Sequence, residues 1–163
     1  MPPSTLDRID QQILRELTRD GRISNAELAQ KVGLSASPCW QRVKRLQEQG
    51  IIRGYTVVLD QALLGAPEIV MIEVILERHD DEILDAFGRT MRDIPEVLEV
   101  HLTTGEYDYL IKVAVAGTKG YEAFLREKLY RVRGIRHTRS SFVLRSLKDV
   151  QAYVPDASPA TFE

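Results

Sequence analysis

Between Ser35 and Gly50 the residue types suit the reading of a nucleic acid. On a helix advancing about 100° per residue, Cys39, Val43 and Leu46 fall within about 60° of one another and form an apolar stripe that must face a core. Ser37, Gln41, Lys44 and Arg45 fall opposite, with Trp40 and Arg42 on the flanks and Ser35 at the helix start. Short hydrogen-bonding side chains near the start suit base edges, and basic ones further along suit phosphates. Arg53, just beyond, could add a phosphate contact. Polar residues outside are also the ordinary state of a surface helix, so the face carries weight only with its context.

A second stretch could bind a small molecule: Thr103-Thr104-Gly105-Glu106-Tyr107-Asp108-Tyr109. One reading is a hairpin turn, with Gly105 and Asp108 supplying turn conformations and the tyrosines packing on a sheet. The other is a zwitterion site, in which Gly105 bares backbone N–H groups for a carboxylate and Asp108 offers an anion for an ammonium. Other chemistry is thin. Cys39 lies on the core stripe and reads as a small hydrophobe. His79, His101 and His137 lack metal-ligand spacing to each other or to Cys39. Asp80-Asp81-Glu82 reads as the acidic first turn of a helix. There is no Gly-rich phosphate loop, G-x-S-x-G or H-E-x-x-H. No catalytic residue, metal or cofactor is assigned, and the chain is read as not being an enzyme.

The elements that position these residues can be traced along the chain. Ser4-x-x-Asp7 is a capping-box variant before Leu6, Ile9, Ile13 and Leu17, and Asp20-Gly21 ends that first helix. Ser24-x-x-Glu27 is a full capping box opening a short helix with Ala26, Leu28, Ala29 and Val32, stopped by Gly33. Ser35 and Ser37 are candidate N-caps of the third helix, Pro38 fits its first turn, and Gly50 ends it. Residues 51–59 form a β-type run around Gly54 and read as wing strands. Capped helix, Gly-Leu turn, Ser/Pro-started helix and β wing in this order form a constellation far rarer than any part.

Residues 61–67, with Gly65 and Pro67, read as a linker. Beyond it the pattern gives strand 69–76, helix 81–94, strands 97–103 and 109–115, helix 119–132 and strand 135–146. That βαββαβ order predicts a ferredoxin-like four-stranded antiparallel sheet with both helices on one face. Ala86-Phe87 before Ile94 and Ala123-Phe124 before Val132 form a faint repeat, as two βαβ halves would. The fold class is therefore α+β, a winged helix-turn-helix (1–60) followed by a ferredoxin-like domain (68–150), with a tail (151–163) that has little to bury from Pro155 on. Strand 69–76 is apolar at nearly every position, so the sheet face without helices needs a partner, expected to be a second copy.

The bulk properties allow this. Net charge is −2, but residues 1–60 hold 9 Lys/Arg against 7 Asp/Glu, and residues 61–163 hold 13 against 17. A local basic face suffices, because phosphate contacts need charge at the interface and not over the whole surface. No apolar run approaches the roughly 18 residues of a membrane span, and MPPSTLDRID lacks a secretory apolar region. A single cysteine forbids an internal disulfide, so a reducing cytoplasm is expected.

The chain resembles the leucine-responsive and asparagine regulator (Lrp/AsnC) family of prokaryotic transcription factors from Leu6 to about Lys148. The resemblance rests on Leu6-Asp7-Arg8-Ile9-Asp10, Asp20-Gly21-Arg22-Ile23-Ser24-Asn25, Val32-Gly33-Leu34-Ser35, Pro38-Cys39, Arg42-Val43, Gly54-Tyr55-Thr56 and Thr104-Gly105-Glu106-Tyr107-Asp108-Tyr109-Leu110. It implies double-stranded DNA with a pseudo-palindromic operator as partner, homodimers assembling to octamers, and an amino-acid effector held between dimers. On the matching positions that pocket would involve Thr104, Gly105, Tyr107, Asp108, Thr138 and Ser140, with room beside Ser140 because Ser140-Ser141 stand where the family often has a bulkier residue. Sirohaem decarboxylases resemble the same architecture. They would be expected to surrender the basic face, which Gln41, Lys44 and Arg45 keep here. An effector-independent DNA-organising oligomer is the third class.

Overall fold

The computed structural model describes residues 6–78, 80–150 and 152–155. Two compact units emerge: residues 1–58 with 148–163, and residues 59–147.

The first unit holds helices α1 (Arg8–Arg19), α2 (Asn25–Lys31) and α3 (Ala36–Glu48). The Ser4 cap lies outside the described residues. Helix α1 begins with Asp7 as N-cap, in a capping box in which Asp10 at N3 answers it. The Ser24–Glu27 box opens α2 as expected. Gly33, at φ +72°, makes the left-handed turn into α3 that a side chain would resist. The Asn25 side-chain amide donates to Ala36 O at 2.8 Å, tying the start of α2 to the start of α3. Ile13, Leu28, Ala29, Val32, Cys39 and Leu46 form the core, so Cys39 is the small buried hydrophobe expected.

One expectation for this unit fails. Residues 51–60 form no strand, since the one extended run, interrupted by Gly54, has no second run to pair with. Tyr55, Val57, Val58 and Leu59 are exposed. Residues 152–155 run beside the helices of this unit, with Tyr153 still largely exposed. Ala152, Tyr153, Val154 and Pro155 line an apolar groove with Leu6, Leu14, Leu17, Ile51, Ile52 and Tyr55, and Arg15 Nη2 donates to Pro155 O at 3.2 Å. The remainder of the tail lies outside the described residues.

The second unit holds β1 (Glu68–Leu76), α4 (Asp81–Arg92), β2 (Val97–Leu102), β3 (Tyr109–Val115), α5 (Gly117–Glu127), a 3₁₀ turn (Leu129–Arg131) and β4 (Ile135–Phe142). The sheet is antiparallel in the order β2-β3-β1-β4, the ferredoxin-like arrangement. Every second residue of β1 is fully buried: Val70, Ile72, Val74 and Leu76. They pack with Phe87 and Met91 of α4, Phe124 of α5, and Leu129, so both helices cover one face. The two repeat phenylalanines, Phe87 and Phe124, occupy this same core. Helix α5 ends at Glu127, short of residue 132, and tightens into the 3₁₀ turn. Strand β4 ends at Phe142, short of residue 146, because its last ladder bond, Val143 N–H to Ile69 O at 2.8 Å, lies at the start of β1. No described helix is long and apolar enough to cross a membrane.

Candidate nucleic-acid interface and ligand site

Helix α3 presents Ser37, Trp40, Gln41, Lys44 and Arg45 to solvent, with Ser35 exposed at its N-cap. Ser35 makes no side-chain capping bond. Trp40 is 54% exposed, unusual for so large an apolar ring, and Lys44 Nζ lies 5.3 Å from its centroid. Lys44 also stands 3.7 Å from Glu48, a solvated pair one turn on. Arg53 is exposed on the irregular segment after α3.

Arg45 is exposed on the outward face and Arg42 is half-buried on its flank, as expected, but both also pair with carboxylates of α1, which the wheel does not show. Arg42 Nη1 donates to Asp7 Oδ2 at 2.5 Å and to Asp10 Oδ1 at 2.8 Å, and Arg45 Nη2 donates to Asp10 Oδ2 at 2.6 Å. Residues three apart on a helix sit about 60° around it, so both guanidiniums reach one carboxylate. Asp10 is 1% exposed. Partial burial pushes the Asp7 carboxyl up, but the Asp10 backbone amide and the Arg42 guanidinium outweigh it and hold it below its ordinary value. The same contacts, Asp7 foremost, raise Arg42. Asp10 was missed in the sequence, yet a signal existed: it lies four residues after Leu6 and three before Ile13, on the apolar stripe, where a carboxylate needs cations.

In the second unit the turn before β3 is as expected, with Gly105 at φ +123°. Thr104 and Gly105 are exposed on it. Thr103 Oγ1 donates to Tyr107 O at 2.8 Å, and Thr103 N–H to Asp108 O at 2.9 Å. Asp108 points into the protein: its Oδ2 accepts from Leu76 N–H at 2.7 Å while its own N–H donates to Val74 O at 2.9 Å.

The structure does not bring the six expected pocket residues together. Thr138 pairs opposite Val74 and Ser140 opposite Ile72, and directly opposed residues share a face, so both lie on the helix-covered side. The room expected beside Ser140 is filled by Tyr121 of α5, whose hydroxyl donates to Ser140 Oγ. Burial raises the Tyr121 hydroxyl above its ordinary pKa, partly offset by that bond. The residues that do gather are of the other parity. On the open face, Glu73, Ile75, Glu106, Tyr107, His137 and Arg139 surround a cavity of about 100 Å³. Arg139 grips Glu73 with two nitrogens, at 2.7 and 3.0 Å. Beside them Glu99 takes Lys112 at 2.8 Å and His101 at 3.1 Å, and these two contacts hold its carboxyl low. Among the described residues no cluster of three His, Cys, Asp or Glu could hold a metal.

The chain is similar to known proteins over both units. Residues 6–53 match a winged helix-turn-helix DNA-binding family, and residues 69–153 match the Lrp/AsnC ligand binding domain. The leucine-responsive regulatory protein of Escherichia coli K12 is 42% identical over 147 residues, 90% of each chain, as is that of Klebsiella aerogenes. A transcriptional regulator from Neisseria meningitidis, solved as its complex with L-methionine, superimposes with a TM-score of 0.87 at 34% identity, covering 91% of this chain and 96% of that one. The AsnC protein of Escherichia coli gives 0.83 at 26% identity, covering 93% and 100%.

Proposed function

We propose, since this chain belongs to the Lrp/AsnC family of transcription regulators, that α3 enters the major groove of an operator and that an amino acid bound to the second unit tunes that binding. The family pairs a DNA-binding helix-turn-helix with an amino-acid-binding domain, and this chain has both. The observation that carries the reading is the outward face of α3. Ser37 and Gln41 offer hydrogen bonds at base edges, Trp40 offers an apolar surface for a thymine methyl, and Lys44 offers a phosphate contact.

The effector is proposed to lie on the open face beside the Gly105 turn. There Arg139 can meet a carboxylate, Glu73 and Glu106 can meet an ammonium, and Tyr107 and Ile75 give apolar contact. L-methionine and leucine are the first ligands to try, given the Neisseria complex and the leucine-responsive relatives. A cavity of about 100 Å³ is small for either, so part of the site is proposed to come from a second copy. Two copies also supply the two recognition helices of a pseudo-palindromic site, and further assembly to octamers is proposed on the same grounds.

The test is fluorescence-anisotropy binding of the full chain to duplexes enriched from a random pool, with and without each amino acid. Salt-dependent, sequence-selective binding altered by one amino acid supports the proposal. Binding equal on enriched and scrambled duplexes overturns it.

A further inference from the structure

Two of the basic residues on α3 are paired with carboxylates of α1, although the Arg45 side chain remains 47% exposed. Arg42 and Arg45 hold opposite oxygens of Asp10, and Arg42 also holds Asp7. Asp10 is nearly inaccessible, and its Oδ2 additionally accepts from Asp7 N–H at 3.3 Å. Each carboxylate oxygen is thus committed to a cation brought from another helix. A guanidinium that left for a DNA phosphate would gain a contact at a solvated interface and strip the buried Asp10 carboxylate of a counter-charge. Lys44, four residues before Glu48 on the outward face, has no such tie to α1.

We propose that Asp10 is a positioning residue for α3: it fixes the helix on α1 through Arg42 and Arg45 and withholds their charge from the phosphate backbone. This rests on the reading of α3 as the recognition helix. Non-specific DNA affinity is almost wholly phosphate electrostatics, so two sequestered cations weaken binding to any duplex while the base-reading side chains keep their placement. Asp10 thereby raises the ratio of specific to non-specific binding without touching DNA.

The experiment follows the full chain on a duplex enriched by the wild type and on a scrambled duplex of equal length, over a range of salt. Asp10→Asn, close in shape but uncharged, frees Arg45, while Asp7 still holds Arg42. The proposal expects a salt slope steeper by about 0.9 for the guanidinium released, tighter binding to the scrambled duplex and a narrowed specificity ratio. Arg45→Gln is expected to lose affinity for the enriched duplex several-fold with its salt slope unchanged, and it decides the matter alone if Asp10→Asn fails to fold. A slope flattened by about 0.9 in Arg45→Gln makes Arg45 a phosphate contact and overturns the proposal. A folded Asp10→Asn with wild-type slope and ratio makes Asp10 purely structural and overturns it as well. A wild-type chain that enriches no duplex removes the underlying reading, and the proposal with it, and that result is distinct from the other two.

Discussion

The Asp108 carboxylate accepts a 2.7 Å hydrogen bond from the backbone N–H of Leu76, a residue 32 positions earlier at the end of β1. Leu76 is fully buried. The bond therefore staples the Gly105 turn to the centre of the sheet, a different task from anchoring an ammonium. Asp108→Ala leaves the Leu76 N–H without this partner, and the expected loss is about 1–3 kcal/mol of stability. Urea denaturation of the two proteins checks this, and equal midpoints would refute it.

Acid should loosen the first unit through Asp7. Its folded pKa lies below its unfolded one, so its contribution is complete at neutral pH. It is lost as pH falls from the unfolded carboxylate value, near 4, through the lower folded one. Asp7→Asn keeps an N-cap residue but not the charge. Melting curves from pH 7 to 3 should show the gap between wild type and variant closing on acidification. A gap independent of pH would rule out the charge as its source.

The open sheet face is the proposed assembly surface. Ile69, Met71 and Ile75 remain partly exposed there, interleaved with the Glu73–Arg139 and Glu99–Lys112 pairs. Light scattering at micromolar concentration should give a dimer or larger species, and Met71→Arg on this face should shift it toward monomer. A stable wild-type monomer would contradict the proposed assembly.

Much of this fold could be read from residue order. The Ser24–Glu27 capping box, Gly33 and the helical spacing of Phe87 and Met91 are local signals, and local physics set those elements. What escaped depends on pairing. His137-Thr138-Arg139-Ser140-Ser141 is polar throughout, so only its register against β1 reveals that Thr138 and Ser140 face the helices while His137 and Arg139 face outward. Residues 51–59 have strand-like composition but pair with no strand among the described residues. Arg45 looks outward on a wheel, and only the packing of α1 against α3 brings Asp10 within 2.6 Å of it. Tyr153 and Val154 read as the end of the chain, and the groove they line is built from residues over 90 positions away.

The central claim is that the outward face of α3 reads DNA, and anisotropy titration of Gln41→Ala and Lys44→Ala on enriched and scrambled duplexes tests it most directly. Lys44→Ala should weaken both complexes and lower the salt slope by about 0.9. Gln41→Ala should cost about 1–3 kcal/mol on the enriched duplex and leave the scrambled one unchanged. If both variants bind the enriched duplex as the wild type does at moderate salt, α3 is not the reading helix.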